Sequence, residues 1–344
     1  INGFKQLADQ GKIQELSQTH DSSALHGSAY FLPWHRAYIM VLEDAIRALP
    51  GYQCFAMPYW DWTNEPTPLE VSEGETLVIM SSGLGDDSDG ECQNSGSVFD
   101  EGKYEPQSSS YRNSNGQKCM VRNVDYTAFA TSPGVGYCWF ATPSDIMSLI
   151  GGTNRYETFD GGLEYGSGMH GSVHICISGN MGTFYSPDDP VFWLHHTFID
   201  YIWALWQDCW DYEGVTPTPT QTLSFSGSLT ATLSFSPYTT RTYTPQNVLD
   251  LSSYSIIYED GPLFSNVVVD ASSNCPGTVN PNWFASMNGK VRRLRENKRR
   301  ERNKGRNNRI RKRKRIKFKP FKKLDKRLQT LLSQPDELEI EVEE

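Results

Sequence analysis

"DPVFWLHHTFIDYIWALWQ", residues 189–207, reads as a strong helix. Asp189 is placed to cap it and Pro190 suits its first turn, where a missing N–H costs nothing. Inside it stand two adjacent histidines, His195 and His196. Neighbouring residues on a helix point about 100° apart, so the two rings cannot serve one metal in the same way.

The other histidines sharpen the point. All seven in the 344-residue chain fall in two groups: His20, His26 and His35, then His170, His174, His195 and His196. Histidines used for packing or solubility would be scattered. His170 and His174 are four apart, which sets both imidazoles on one helix face, the spacing of metal ligands. The zinc-protease pattern needs a Glu after the first His, where this chain has Gly171. Di-iron carboxylate sites need Glu-x-x-His pairs, and none accompanies these histidines. An imidazole-rich, carboxylate-poor donor set suits copper. Six neutral imidazoles can hold two copper ions, each able to pass one electron to O2.

Three stretches carry a resemblance: "HGSAYFLPWHRAYIMVLEDAI" (26–46), "MPYWDWT" (57–63) and "MHGSVHICISGNMGTFYSPDDPVFWLHHTFIDYIWALWQ" (169–207). They resemble, in order, the copper-binding regions of the tyrosinase family, the type-3 dicopper group of tyrosinases, catechol oxidases and molluscan haemocyanin units. "TPQNVLDLSSYSIIYED" (244–260) is similar to the Tyr-containing end of that core. The resemblance implies a mainly α fold, a helical bundle holding a dinuclear copper site with O2 as co-substrate. It implies His20, His26 and His35 as ligands of one copper, and His170, His174 and His196 as ligands of the other. His195 is then left beside the site as a catalytic, substrate-orienting group, or as a core histidine bonded to a carbonyl. Glu164, six before His170, matches a family Glu that holds a water as catalytic base. Its usual companion, an Asn after the first ligand of the second copper, is Gly171 here, which disfavours monophenol hydroxylation and leaves o-diphenol oxidation intact. Ala24 stands where some members carry a Cys cross-linked to a ligand, so that thioether is absent. Among neighbouring residues, Asp200 is four after His196 and is a candidate to accept its ring N–H; Asp61 reads as structural.

The implied activity is oxidation of small phenolic substrates to o-quinones, the chemistry of melanin formation, with monooxygenation of monophenols open. A haemocyanin-like reversible oxygen carrier is the alternative.

Other segments set the frame. Helices are expected over 3–20 and 33–49, the second with Pro33 in its first turn and Gly51 as a stop. A short helix is expected within 166–182, an extended segment or turn over 55–66, and a long surface excursion over 81–118. "TLSFS" at 222–226 and again at 232–236 predicts a β-hairpin inserted at 214–240. Seven cysteines without a C-x-x-C pair argue against a thiolate zinc site and allow one to three disulfides, with a secreted or secretory, vesicular location expected. No apolar run is long enough for a membrane helix.

Charge divides the chain. Residues 1–289, the expected catalytic domain, carry 10 basic against 32 acidic residues, a balance of −22. Residues 290–327 carry 22 against 3, a balance of +19, and Asp336–Glu344 add six acids. The 290–344 tail is expected to be disordered or regulatory. Docking on the acidic core or on a polyanionic surface would follow from its charge. The oligomeric state is not legible.

Overall fold

A computed structural model describes residues 1–66, 140–165, 169–209, 227–235 and 241–249, with shorter pieces at 70–71, 77–81 and 118–124 and a few single positions. Eight α-helices appear among the described residues: α1 (Asn2–Asp9), α2 (Lys12–Ser23), α3 (Phe31–Arg47), α4 (Pro143–Gly152), α5 (Tyr156–Tyr165), α6 (His170–Ile177), α7 (Pro190–Cys209) and α8 (Pro245–Leu249). The expected helix at 3–20 is two helices, broken at Gln10–Gly11.

The centre is the pair α3 and α7, packed on each other, with α4 and α6 also against α7, and α5 and α8 against α3. The apolar stripe of Tyr38, Val41, Leu42, Ile46 and Leu49 is buried as its spacing requires. The first thirteen residues of α3, Phe31 to Glu43, go further and are buried all round, Arg36 and Glu43 included. On α7, Phe192, Trp193, Phe198, Ile202, Trp203 and Trp206 are each at most 1% exposed. Burial of such side chains contributes roughly 1.5–3 kcal/mol apiece. Asp189 Oδ1 accepts from Val191 N at 2.8 Å, the expected cap. Its carboxylate also pairs with Arg122, both side chains fully buried, at 2.7 Å to Nε and 2.8 Å to Nη2.

Helices α4 and α5 were not anticipated. A signal for α4 was present in "TPSD", where Thr142 and Asp145 form a reciprocal capping box. Helix α6 ends at a tight turn through Ser178 and Gly179. A Cβ on Gly179 would fall 2.1 Å from the Val121 carbonyl oxygen, so only glycine fits.

The described residues contain no sheet, only two isolated antiparallel bridges, Cys92 with Val121 and Leu233 with Tyr243. The expected β-hairpin is therefore not seen: 222–226 lies outside the described residues, and Leu233 in the second copy pairs with Tyr243. Most of the 81–118 excursion and all of the 290–344 tail also lie outside them. Disulfides join Cys92 to Cys119 and Cys138 to Cys176, and Cys54 is disulfide-bonded as well.

Candidate metal centre

Four helices and one loop deliver the histidines. His20 comes from the last turn of α2 and His26 from the loop after it, while His35 lies in the second turn of α3. His170 opens α6, His174 follows one turn on, and His195 and His196 sit in the second turn of α7. They form two clusters, His20–His26–His35 and His170–His174–His195–His196. In each cluster one ring nitrogen per residue lies within 4.8 Å of all the others. The clusters adjoin: the His35 and His196 rings are parallel at 4.4 Å, and His26 and His170 stack at 5.9 Å.

Backbone carbonyls orient three rings. His20 Nδ1 is 2.7 Å from Phe184 O, His35 Nδ1 is 2.8 Å from Phe31 O, and His174 Nδ1 is 2.7 Å from Met181 O. A carbonyl only accepts, so each Nδ1 carries the proton and each Nε2 presents a lone pair. Those lone pairs converge. His20 Nε2 and His35 Nε2 stand 3.4 Å apart, and His174 Nε2 and His196 Nε2 stand 3.2 Å apart. Two lone pairs cannot hydrogen-bond each other, so His20 and His35 face one another unsatisfied. Imidazole nitrogens bind first-row ions at about 2 Å, so two on one tetrahedral centre lie about 3.3 Å apart. The spacing fits a cation between each pair.

Burial supports the same reading. His20 is lowered to about 3, and His26 and His174 to about 4, chiefly by desolvation. His35, His170, His195 and His196 are held well below the ordinary histidine value for the same reason. Seven neutral imidazoles without a carboxylate among them form a donor set that suits copper. His170 Nε2, His196 Nδ1 and His26 Nδ1 are buried with no hydrogen-bond partner.

Membership follows from comparison with known proteins. The family model described as "Common central domain of tyrosinase" matches residues 2–209. The chain belongs to the tyrosinase family. The tyrosinase of Streptomyces glaucescens is 29% identical over 224 residues, covering 59% of this chain and 74% of that protein. The tyrosinase-like protein phomQ1 of Diaporthe leptostromiformis is 31% identical over 196 residues, covering 53% of this chain and 48% of that protein, so the chain spans about half of the latter. Among solved structures, a polyphenol oxidase from Thermothelomyces thermophila aligns with TM-score 0.48 and 18% identity, covering 69% of this chain and 74% of that one. As a tyrosinase-family protein the chain is a copper-binding oxidoreductase of the type-3 class, whose members use a dinuclear copper centre.

Residues around the clusters depart from the sequence reading in places. Asp200 does not orient His196. Its Oδ1 accepts from Arg36 Nε at 2.6 Å, while His196 Nδ1 has no partner. The reason is that Arg36, next to His35 on α3, is itself buried and claims this carboxylate. Asp61 is structural as expected, accepting from Thr63 N at 3.1 Å and Thr63 Oγ1 at 2.6 Å. Glu164 is buried on α5, and its Oε1 accepts from the backbone N–H of Gly27 at 2.8 Å. It thus holds the turn that follows His26, where Gly27 adopts φ +67°. Burial pushes the Glu164 carboxyl up from the usual carboxylate range. His195 is fully buried rather than set at an open rim.

His26 and His174 are the only partly exposed histidines of the two clusters. Leu25, Tyr165, Ile175 and Phe184 are the exposed large apolar residues among those described. Leu25 precedes His26, Ile175 follows His174, and the Phe184 ring meets His26 edge-on at 5.9 Å.

Proposed function

We propose that the protein is a copper-dependent phenol oxidase that converts o-diphenols to o-quinones with O2. In this reading His20, His26 and His35 hold one copper, and His170, His174 and His196 hold the other. The observation that carries it is the convergence of two neutral imidazole sets, their facing Nε2 atoms 3.4 and 3.2 Å apart. A bound copper pair supplies two one-electron acceptors. Each o-diphenol gives up two electrons and two protons, so two diphenols are consumed for each O2 reduced to two waters. The exposed Phe184 ring, edge-on to His26, offers an aromatic substrate a surface beside the first cluster, which favours oxidation of small phenols. Glu164, its ionised form disfavoured by burial, is the candidate proton acceptor. Gly171 offers no side chain to help it hold a water, which favours diphenol oxidation over monophenol hydroxylation.

Copper loading followed by oxygen uptake tests the reading. Catechol should be consumed at two per O2, and phenol far more slowly. Reversible oxygen binding without catechol turnover would instead make the protein a carrier. Failure to retain copper would remove both readings.

A further inference from the structure

Distance alone does not separate His195 from His196. Both place a ring nitrogen within 4.8 Å of ligand atoms of His170 and His174. What separates them is the other nitrogen of each ring. The indole Nε1 of Trp62 donates to His195 Nδ1 at 3.2 Å, with both residues fully buried. An indole N–H can only donate, so His195 Nδ1 must present its lone pair to Trp62. A neutral imidazole has one N–H, and with Nδ1 bare that hydrogen sits on Nε2. Neither nitrogen of His195 is then free for a metal: one lone pair is taken, and the other nitrogen is protonated. This is the opposite tautomer to His20, His35 and His174, whose Nδ1 atoms face carbonyls.

From this geometry we propose that Trp62 removes His195 from the metal's donor set by fixing its Nε2–H tautomer, leaving it as a positioning group behind His170. The Trp62 indole is itself held from several sides. Asp61 caps the 3-10 turn Trp62–Asn64, and Trp60 N donates to Leu194 O at 3.0 Å, which pins this segment to α7 beside His195. The ring meets Phe198 edge-on at 4.9 Å and lies near-parallel to Phe140 at 6.4 Å. On its far side His195 lies parallel to His170 at 5.5 Å and 13°. Its Nε2 has no hydrogen-bond partner. His195 therefore fixes the plane of the His170 ring, while the second metal keeps three imidazoles.

The proposal goes beyond the phenol-oxidase reading and is tested apart from activity. The full chain, labelled with 15N at its histidine rings, is loaded with copper(I), which is diamagnetic, and its ring tautomers are read by NMR. The His195 signal is assigned by its loss in His195→Gln. Wild type should show that ring as the Nε2–H tautomer with unmetallated Nδ1. Trp62→Phe should shift that one ring toward mixed tautomers, and copper should stay at two per chain. An Nδ1–H tautomer at His195 in wild type would overturn the proposal, as would loss of one copper in His195→Gln. If Trp62→Phe does not fold, the wild-type spectrum alone decides. Copper content reports separately on the phenol-oxidase reading, since His195 is read in the same way whether or not copper binds.

Discussion

Arg36 Nε donates to Asp200 Oδ1 at 2.6 Å, joining the residue after His35 on α3 to the residue four after His196 on α7. The pair is thus a strut between α3 and α7, which each carry part of one histidine cluster. Arg36 is 1% exposed; its Nη1 also donates to Gln207 Oε1 at 3.1 Å and Val248 O at 3.0 Å, and its guanidinium stacks 3.7 Å over Trp203. Removing one partner of a buried pair leaves the other charge uncompensated, a cost of about 3–5 kcal/mol. Asp200→Ala should therefore lower stability by that order in a denaturant titration, with copper per folded chain unchanged. A partner of His196 would behave differently, since loss of a group that orients a ligand typically costs about 10–100-fold in metal affinity.

Single-histidine variants divide the clusters by copper count. His20→Ala and His196→Ala should each hold one copper per chain instead of two, because each removes one of the facing nitrogens. His195→Ala should keep both and slow catechol turnover. Elemental analysis of the purified variants checks this, and one copper in His195→Ala would reverse the assignment of the doubled histidine.

The helix spacing of His170 and His174, the capped start at Asp189 and the apolar stripe of α3 were legible because each depends on local periodicity or a cap. The partition of charge inside the core was not. Asp200 and Arg36 are 164 positions apart, and helix-face geometry alone favoured the local partner, His196. Trp62 is 133 positions from His195, and nothing in "PYWDW" marks which indole meets a ring. Glu164 was singled out through the family likeness, yet its bond to Gly27 N appears only when α5 folds against the loop after His26.

Gly171 offers a gain-of-function test. A Cβ there would lie 3.4 Å from the Glu164 carbonyl oxygen, an ordinary contact, so a side chain fits without displacing the helix. Gly171→Asn adds an amide beside His170, where a water can be held for proton removal from a phenol. Monophenol hydroxylation should rise several-fold, with catechol oxidation kept within about twofold. The measurement is oxygen uptake with the two substrates; equal change in both would sever Gly171 from substrate preference.

Asp160 gives the molecule a pH signature independent of the histidines. It is 5% exposed on α5, one turn before Glu164, and its carboxyl is pushed up to about 8 by burial first and by the charge of Glu164 second. Hydrogen bonds from Tyr156 Oη, at 3.3 Å, and from the Leu32 backbone oppose the shift without cancelling it. Because the folded value lies above the unfolded one, the folded state binds the extra proton between about pH 4 and 8. The stabilisation is complete below the unfolded value and is lost as pH rises through about 8, with a slope of at most about 1.4 kcal/mol per pH unit. Asp160→Asn keeps an acceptor for Tyr156 but cannot ionise. Comparing the two proteins at each pH cancels the seven histidines, which are common to both. The variant's melting temperature should gain on wild type steadily from about pH 5 to pH 8 and level off above that. A constant difference across that range would mean that Asp160 does not change protonation there.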